Sequence, residues 1–142
     1  MHDLSSIKRE AWGINMASKP KFHNIKTTTI DGIVFDSRKE ARRWEALRIR
    51  EQLGEITELK RQVPYELIPA QYETYERYSK TGKRLKDGER LVERNVVYVA
   101  DFVYTTTTGQ TVVEDTKGVR TKDYVIKRKL MYAIYGIKIT EI

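Results

Sequence analysis

Two apolar segments, each carrying an aspartate, constrain this chain more than any other feature. Tyr98-Val99-Ala100-Asp101-Phe102-Val103-Tyr104 and Val112-Val113-Glu114-Asp115-Thr116-Lys117-Gly118 flank a threonine-rich stretch that contains Gly109. Runs rich in β-branched and aromatic residues read as strands, and the stretch between them reads as a hairpin turn. A three-residue hairpin loop takes glycine, in the left-handed conformation, at its last position. The loop is then Thr107-Thr108-Gly109, and Thr106 pairs with Gln110. Each outward step moves one residue along both strands, so Asp101 falls directly opposite Asp115.

Two carboxylates so placed have Cβ atoms about 5 Å apart, and like charges directly opposite are unfavourable. The surrounding apolar runs sharpen the penalty. Something cationic should relieve it. Strict alternation puts Val113, Asp115 and Lys117 on one face together with Val99 and Asp101. A hard divalent cation held by the two carboxylates suits this oxygen-rich set. The plain alternative is a structural ion pair between Asp101 and Lys117. Glu114 should face the other way, outside the metal site.

The clearest helix begins after Ser37, a good N-cap with Glu40 at the capping-box spacing. Ala41, Trp44, Leu47 and Leu53 form its apolar stripe, and Gly54 stands where a C′ glycine belongs. Glu40 shares the stripe and is expected to point inward, although it is equally a capping residue. Thr27 to Phe35 reads as a hairpin around Asp31-Gly32. Residues 56–68 read as one or two strands, with Pro64 marking an edge or a bulge. Residues 70–95 read as an extended hairpin with a basic tip. Strands at 96–104 and 111–117, a helix at 121–135 and a last strand at 137–142 complete the chain. Residues 1–24 read as a poorly ordered arm or short helix, and 25–142 as one domain. The order predicts an α/β (α+β) fold with a mixed central sheet flanked by helices.

Composition bounds the function. The chain has 142 residues, a net charge of +7 and no cysteine. Disulfides and cysteine-ligated metals are therefore excluded. His2 and His23 are too few and too scattered for a histidine-metal nuclease site, and no phosphate-binding G-x-x-x-x-G-K-[ST] loop occurs. No run nears the roughly 20 apolar residues that cross a bilayer, and no signal-peptide pattern is seen, so a cytoplasmic protein without a membrane partner is expected. The basic balance fits a polyanion.

Asp101, a spacer and Asp115-Thr116-Lys117 resemble the D…(D/E)xK signature of the restriction-endonuclease-like PD-(D/E)XK nuclease superfamily. Glu40, within Asp36-Ser37-Arg38-Lys39-Glu40-Ala41, resembles the glutamate on that fold's first helix. Over roughly residues 22–142 the chain is similar to an uncharacterised family of phage and prophage proteins assigned there. Ala100 stands where a proline usually precedes the first aspartate. The resemblance implies a restriction-endonuclease-like core and Mg²⁺- or Mn²⁺-dependent hydrolysis of DNA by Glu40, Asp101, Asp115 and Lys117. The metal would rest on Asp101, Asp115 and the Thr116 carbonyl, with Glu40 acting through water. Branched DNA from phage replication or recombination is the substrate that this family context suggests, and a homodimer would suit paired cuts.

Candidate nucleic-acid contacts are Lys80, Lys83 and Arg84 at the hairpin tip, Arg61 and Gln62 on the preceding strand, and Lys122, Tyr124 and Lys127 on the last helix. Each is also readable as surface charge or packing. A non-catalytic DNA-binding accessory protein and an RNA-directed nuclease are the rival expectations.

Overall fold

The structure is a computed structural model describing residues 25–142. The expected arm at 1–24, with both histidines, lies outside the described residues. Two compact units are present, one ending at Ala46 and one running from Leu47 to Ile142.

In the first unit, β1 (Thr27–Thr28) and β2 (Val34–Phe35) pair antiparallel. They are joined by the expected turn, where Gly32 has φ 81° and its N–H donates to Thr29 O at 2.9 Å. Only glycine adopts this conformation without steric cost. Helix α1 (Arg38–Gln52) starts here, with Ser37 Oγ accepting from the Glu40 N–H at 3.1 Å. That bond satisfies one of the helix's orphan donors. The Trp44 indole N–H donates to Asp31 Oδ2 at 2.7 Å, and its ring packs on Phe35 with centroids 6.1 Å apart.

The second unit opens with the end of α1. Leu47 is buried, but Leu53 is 70% exposed, contrary to the expected stripe. The helix stops at Gln52, and Gly54, with φ 76°, turns the chain away. Leu53 lies past the last helical residue, so the helical period no longer governs where it points.

Strand β3 (Ile56–Ile68) comes next, then β4 (Gln71–Tyr78) and β5 (Arg84–Glu93), then β6 (Val96–Thr106) and β7 (Thr111–Asp115). Helix α2 (Lys122–Tyr135) and β8 (Thr140–Glu141) finish the chain. The main sheet has the order β3-β6-β7-β8; β8 runs parallel to β7 and the other pairs are antiparallel. The architecture is mixed α/β with a mixed sheet, as expected. Pro64 sits on edge strand β3, where its missing N–H costs no ladder bond on the open side. Two strands are shorter than expected. Strand β7 stops at Asp115, and of residues 137–142 only Thr140 and Glu141 pair. Residues 137–139 bring the chain back from Gly136, with Ile139 buried in the core on the way.

The β6–β7 register is the one that Gly109 dictates. Thr105 pairs with Thr111, Val103 with Val113 and Phe102 with Glu114, while the Thr106 N–H closes the loop on Gln110 O at 2.8 Å. Asp101 and Asp115 are the next residues beyond the last of these pairs.

Strict alternation fails at Asp101. Tyr98, Ala100, Val103 and Val113 all belong to the core shared with Tyr124 and Met131 of α2, whereas Val99 is 45% exposed. Val99 therefore does not share the face of Val113. Two residues instead of one separate the inward positions Ala100 and Val103. Opposite this step, Gln62 of β3 has φ 52° and interrupts the alternation of its own strand. Arg61 still pairs with Phe102 and Val63 with Ala100, so both strands flip together and the count is preserved. Phe102, Tyr104 and Glu114 are consequently buried on the other face, where the Tyr104 hydroxyl donates to Glu114 Oε1 at 2.6 Å and the Arg50 guanidinium lies 5.8 Å from the Tyr104 ring.

Candidate active site on a polar row of the sheet

The registers align four polar residues across the four strands. Gln62 on β3 lies between the pairs Arg61–Phe102 and Val63–Ala100, opposite Asp101 on β6. Asp101 and Asp115 are the residues next to the last β6–β7 pair, Phe102–Glu114, and Asp115 pairs with Glu141 on β8. The row Gln62–Asp101–Asp115–Glu141 crosses the sheet beside the buried apolar residues Ala100 and Phe102.

Each aspartate commits one oxygen to the protein. Asp101 Oδ2 accepts from both the N–H and the hydroxyl of Thr116, each at 2.8 Å. Among the described residues its Oδ1 has no hydrogen bond. Asp115 is 1% exposed, and its Oδ2 accepts from the Tyr98 hydroxyl at 2.7 Å. Asp115 Oδ1 is buried without a hydrogen bond. Its nearest cation is the Lys117 ammonium, 3.8 Å away and too distant for a hydrogen bond. Burial pushes the Asp115 carboxyl above the usual aspartate range; the Tyr98 bond opposes this, Asp101 adds to it, Lys117 opposes and Glu141 adds. The Tyr98 phenol is likewise pushed up, first by burial and then by its bond to Asp115.

Glu141 is differently placed. It accepts from Tyr124 Oη at 2.9 Å and from Arg128 at 2.8 Å, and it pairs with Arg120. The Arg128 bond leads in holding its carboxyl below the usual range. Glu141 is a satisfied anion that fixes Tyr124 and Arg128 beside the aspartates. The Tyr124 ring in turn lies 5.1 Å from the Lys117 ammonium, a cation–π distance.

The structure thus brings Asp101, Asp115, Thr116, Lys117 and Tyr124 together. Glu40 belongs to the first unit and is half-buried there. Among the nucleic-acid candidates, Tyr124 is buried with its hydroxyl on Glu141, which leaves its ring to Lys117 and Arg128 instead of a base. Lys127 pairs with Asp123 at 3.5 Å, and Lys122 is exposed at the start of α2. Arg61 stands opposite Phe102 with its Nε buried, whereas Gln62 is exposed. Arg84 is engaged by Glu76 and Asp87, and Lys80 and Lys83 are exposed around the hairpin turn.

Tyr98, Glu141, Arg120 and Arg128 were not legible as site residues. Tyr98 reaches Asp115 only because the alternation breaks at Asp101, and Glu141 arrives through a parallel pairing that no local turn announces. The one available signal was an acidic residue inside the final apolar segment, Ile137 to Ile142.

The donor set fits a small hard cation. It comprises free oxygens of two carboxylates, one of them buried and lacking a hydrogen bond. Among the described residues no three His, Cys, Asp or Glu side chains gather into a metal-holding group. Mg²⁺ commonly takes only one or two carboxylates, keeping waters and substrate phosphate for its other positions.

A mixed α/β unit carrying a polar row thus defines the protein at the level of architecture. Residues 19–141 match the family described as Protein of unknown function (DUF1064), and the chain belongs to that family. No curated protein and no solved structure is significantly similar to it. No helix among the described residues is long and apolar enough to cross a membrane.

Proposed function

We propose that the chain is a metal-dependent deoxyribonuclease of the restriction-endonuclease-like kind. One observation carries this reading. A buried aspartate oxygen, Asp115 Oδ1, has no hydrogen bond, although a second carboxylate lies across the strand and an ammonium stands 3.8 Å away. A purely structural ion pair would close the distance between Lys117 and Asp115 to a hydrogen bond, because leaving a buried acceptor unsatisfied costs about 1–3 kcal/mol.

Asp101, Asp115 and the Thr116 carbonyl are the groups that would hold Mg²⁺ or Mn²⁺. When bound, such an ion supplies an acidified water and neutralises charge at phosphate. The protein's own groups do the rest. Tyr98 and Thr116 each tie down one aspartate oxygen, so the free oxygens keep their direction. Lys117, held against the Tyr124 ring, offers its ammonium to a phosphate oxygen or orients the attacking water. The net charge of +7 favours approach of a polyanion.

The test uses the purified full chain with supercoiled, linear, single-stranded and four-way-junction DNA, and with RNA, in Mg²⁺, Mn²⁺ or EDTA. Metal-dependent cleavage of DNA is expected, lost in Asp115→Ala and Lys117→Ala. Glu40→Gln tests the role that family resemblance gives to the helix glutamate. DNA binding without cleavage in any metal would establish the accessory-protein reading instead.

A further inference from the structure

Among the described residues, two other than glycine have positive φ: Glu58 at 55° and Gln62 at 52°. Such conformations are costly for residues with a Cβ and persist where the surroundings impose them. Glu58 has a local reason. The register shifts between Thr57 and Lys60, so β3 carries an extra residue there, and the Glu58 carboxylate accepts from the Thr105 hydroxyl at 3.3 Å.

At Gln62 there is no extra residue, and the flip accompanies that of β6 at Asp101. The register is unchanged across it, and its exposed side chain makes no hydrogen bond or ion pair among the described residues. Glycine would serve the backbone at lower cost. What Gln62 adds is an amide at the end of the carboxylate row, beside Asp101.

We propose that Gln62 is a DNA-contacting residue whose amide donates to the phosphate backbone next to the step held at Asp101 and Asp115. The inference rests on the DNA-directed reading of that site. The strained backbone and the free amide then have one explanation: the flip in β3 turns the side chain out of the sheet's alternation and leaves it available to a strand lying along the row.

The experiment compares Gln62→Gly, Gln62→Ala and Gln62→Asn with the wild type. Thermal midpoints, DNA affinity in EDTA and cleavage kinetics in Mg²⁺ are measured on the full chain. Gln62→Gly should melt higher than the wild type yet bind DNA more weakly. A lost hydrogen bond to a charged group corresponds to roughly a 10-fold loss of affinity or more. Gln62→Ala should lose as much affinity without the gain in stability. Gln62→Asn keeps an amide and tolerates left-handed backbone, so it should stay close to wild type.

Affinity and KM unchanged in both Gln62→Gly and Gln62→Ala would overturn the proposal while leaving any wild-type cleavage intact. Weakened binding in these variants, with no cleavage by the wild type, would keep the DNA contact and reject the nuclease. A wild type that neither binds nor cleaves DNA would reject both.

Discussion

The β4–β5 hairpin and the β6–β7 ladder are both antiparallel pairs, yet they solve opposite problems. Every residue of β4 is exposed, and β5 is exposed except at Gly88. Cross-strand contacts hold the arm together. Arg90 pairs with Glu73 and also lies 5.6 Å from the Tyr75 ring, which crosses Gly88 so closely that a Cβ there would meet it at 2.5 Å. The β6–β7 ladder instead buries Phe102, Val113, Glu114 and Asp115 almost completely. An isolated hairpin is marginally stable in water, so the arm's sequence is under little packing constraint. The ladder is constrained on both faces, and polar groups survive there only with partners. A buried oxygen without a hydrogen bond therefore means more in the ladder than any number of exposed lysines in the arm.

The sharpest way to break this contrast is Asp115→Ala, which should lower DNA cleavage by about 10³-fold or more, since the transition-state charge loses its stabiliser. The protein should remain folded by circular dichroism. Substitution of Lys83 at the hairpin turn should change cleavage less than 10-fold, an effect of the size expected for a surface phosphate contact. A turn-lysine effect equal to that of Asp115 would show that the arm belongs to the catalytic machinery.

Stability sets the same regions against each other. Phe102→Ala should cost about 3–5 kcal/mol in denaturant unfolding. Leu91→Ala on the arm should stay within about 0.5 kcal/mol. Similar values for both would mean that the arm is covered in solution.

A smaller effect separates charge from packing. Because the folded pKa of Asp115 is raised, its ionised form lowers stability above that pKa, and the cost disappears below the ordinary aspartate value near 3.9. Asp115→Asn should therefore melt about 2–4 °C higher than the wild type at pH 8. The gain should shrink as the pH falls through the raised pKa and be absent below about pH 4. Added Mg²⁺ should raise the wild-type midpoint and leave the variant unmoved. An Asn variant that melts lower at every pH would show the carboxylate to be well solvated or fully paired.

The smallest expected effect is Gly88→Val. The Tyr75 ring must swing away, surrendering its contact with Arg90, while the global transition stays in place. Faster amide exchange confined to the arm is the expected readout.

Much of this was written locally. Gly109 placed the turn, the turn set the register, and the register brought Asp101 and Asp115 next to its last pair, because hairpin geometry depends on a few adjacent dihedrals. The cap at Ser37 and the stop at Gly54 are equally local. Val99 was misassigned and Tyr98 missed for one reason: alternation assumes an unbroken strand, and the paired flip at Gln62 and Asp101 is imposed by two strands acting together. Leu53 failed in the same way, since its period ended with the helix. Glu141 reached the site only when β8 paired in parallel with β7, a contact whose closing loop includes all of α2. The sequence by itself determined the turn and the register that carry the two aspartates to neighbouring strands. Tertiary packing decided which of their oxygens are satisfied and which is left without a hydrogen bond, because hydrogen-bond satisfaction depends on side chains that arrive from distant strands.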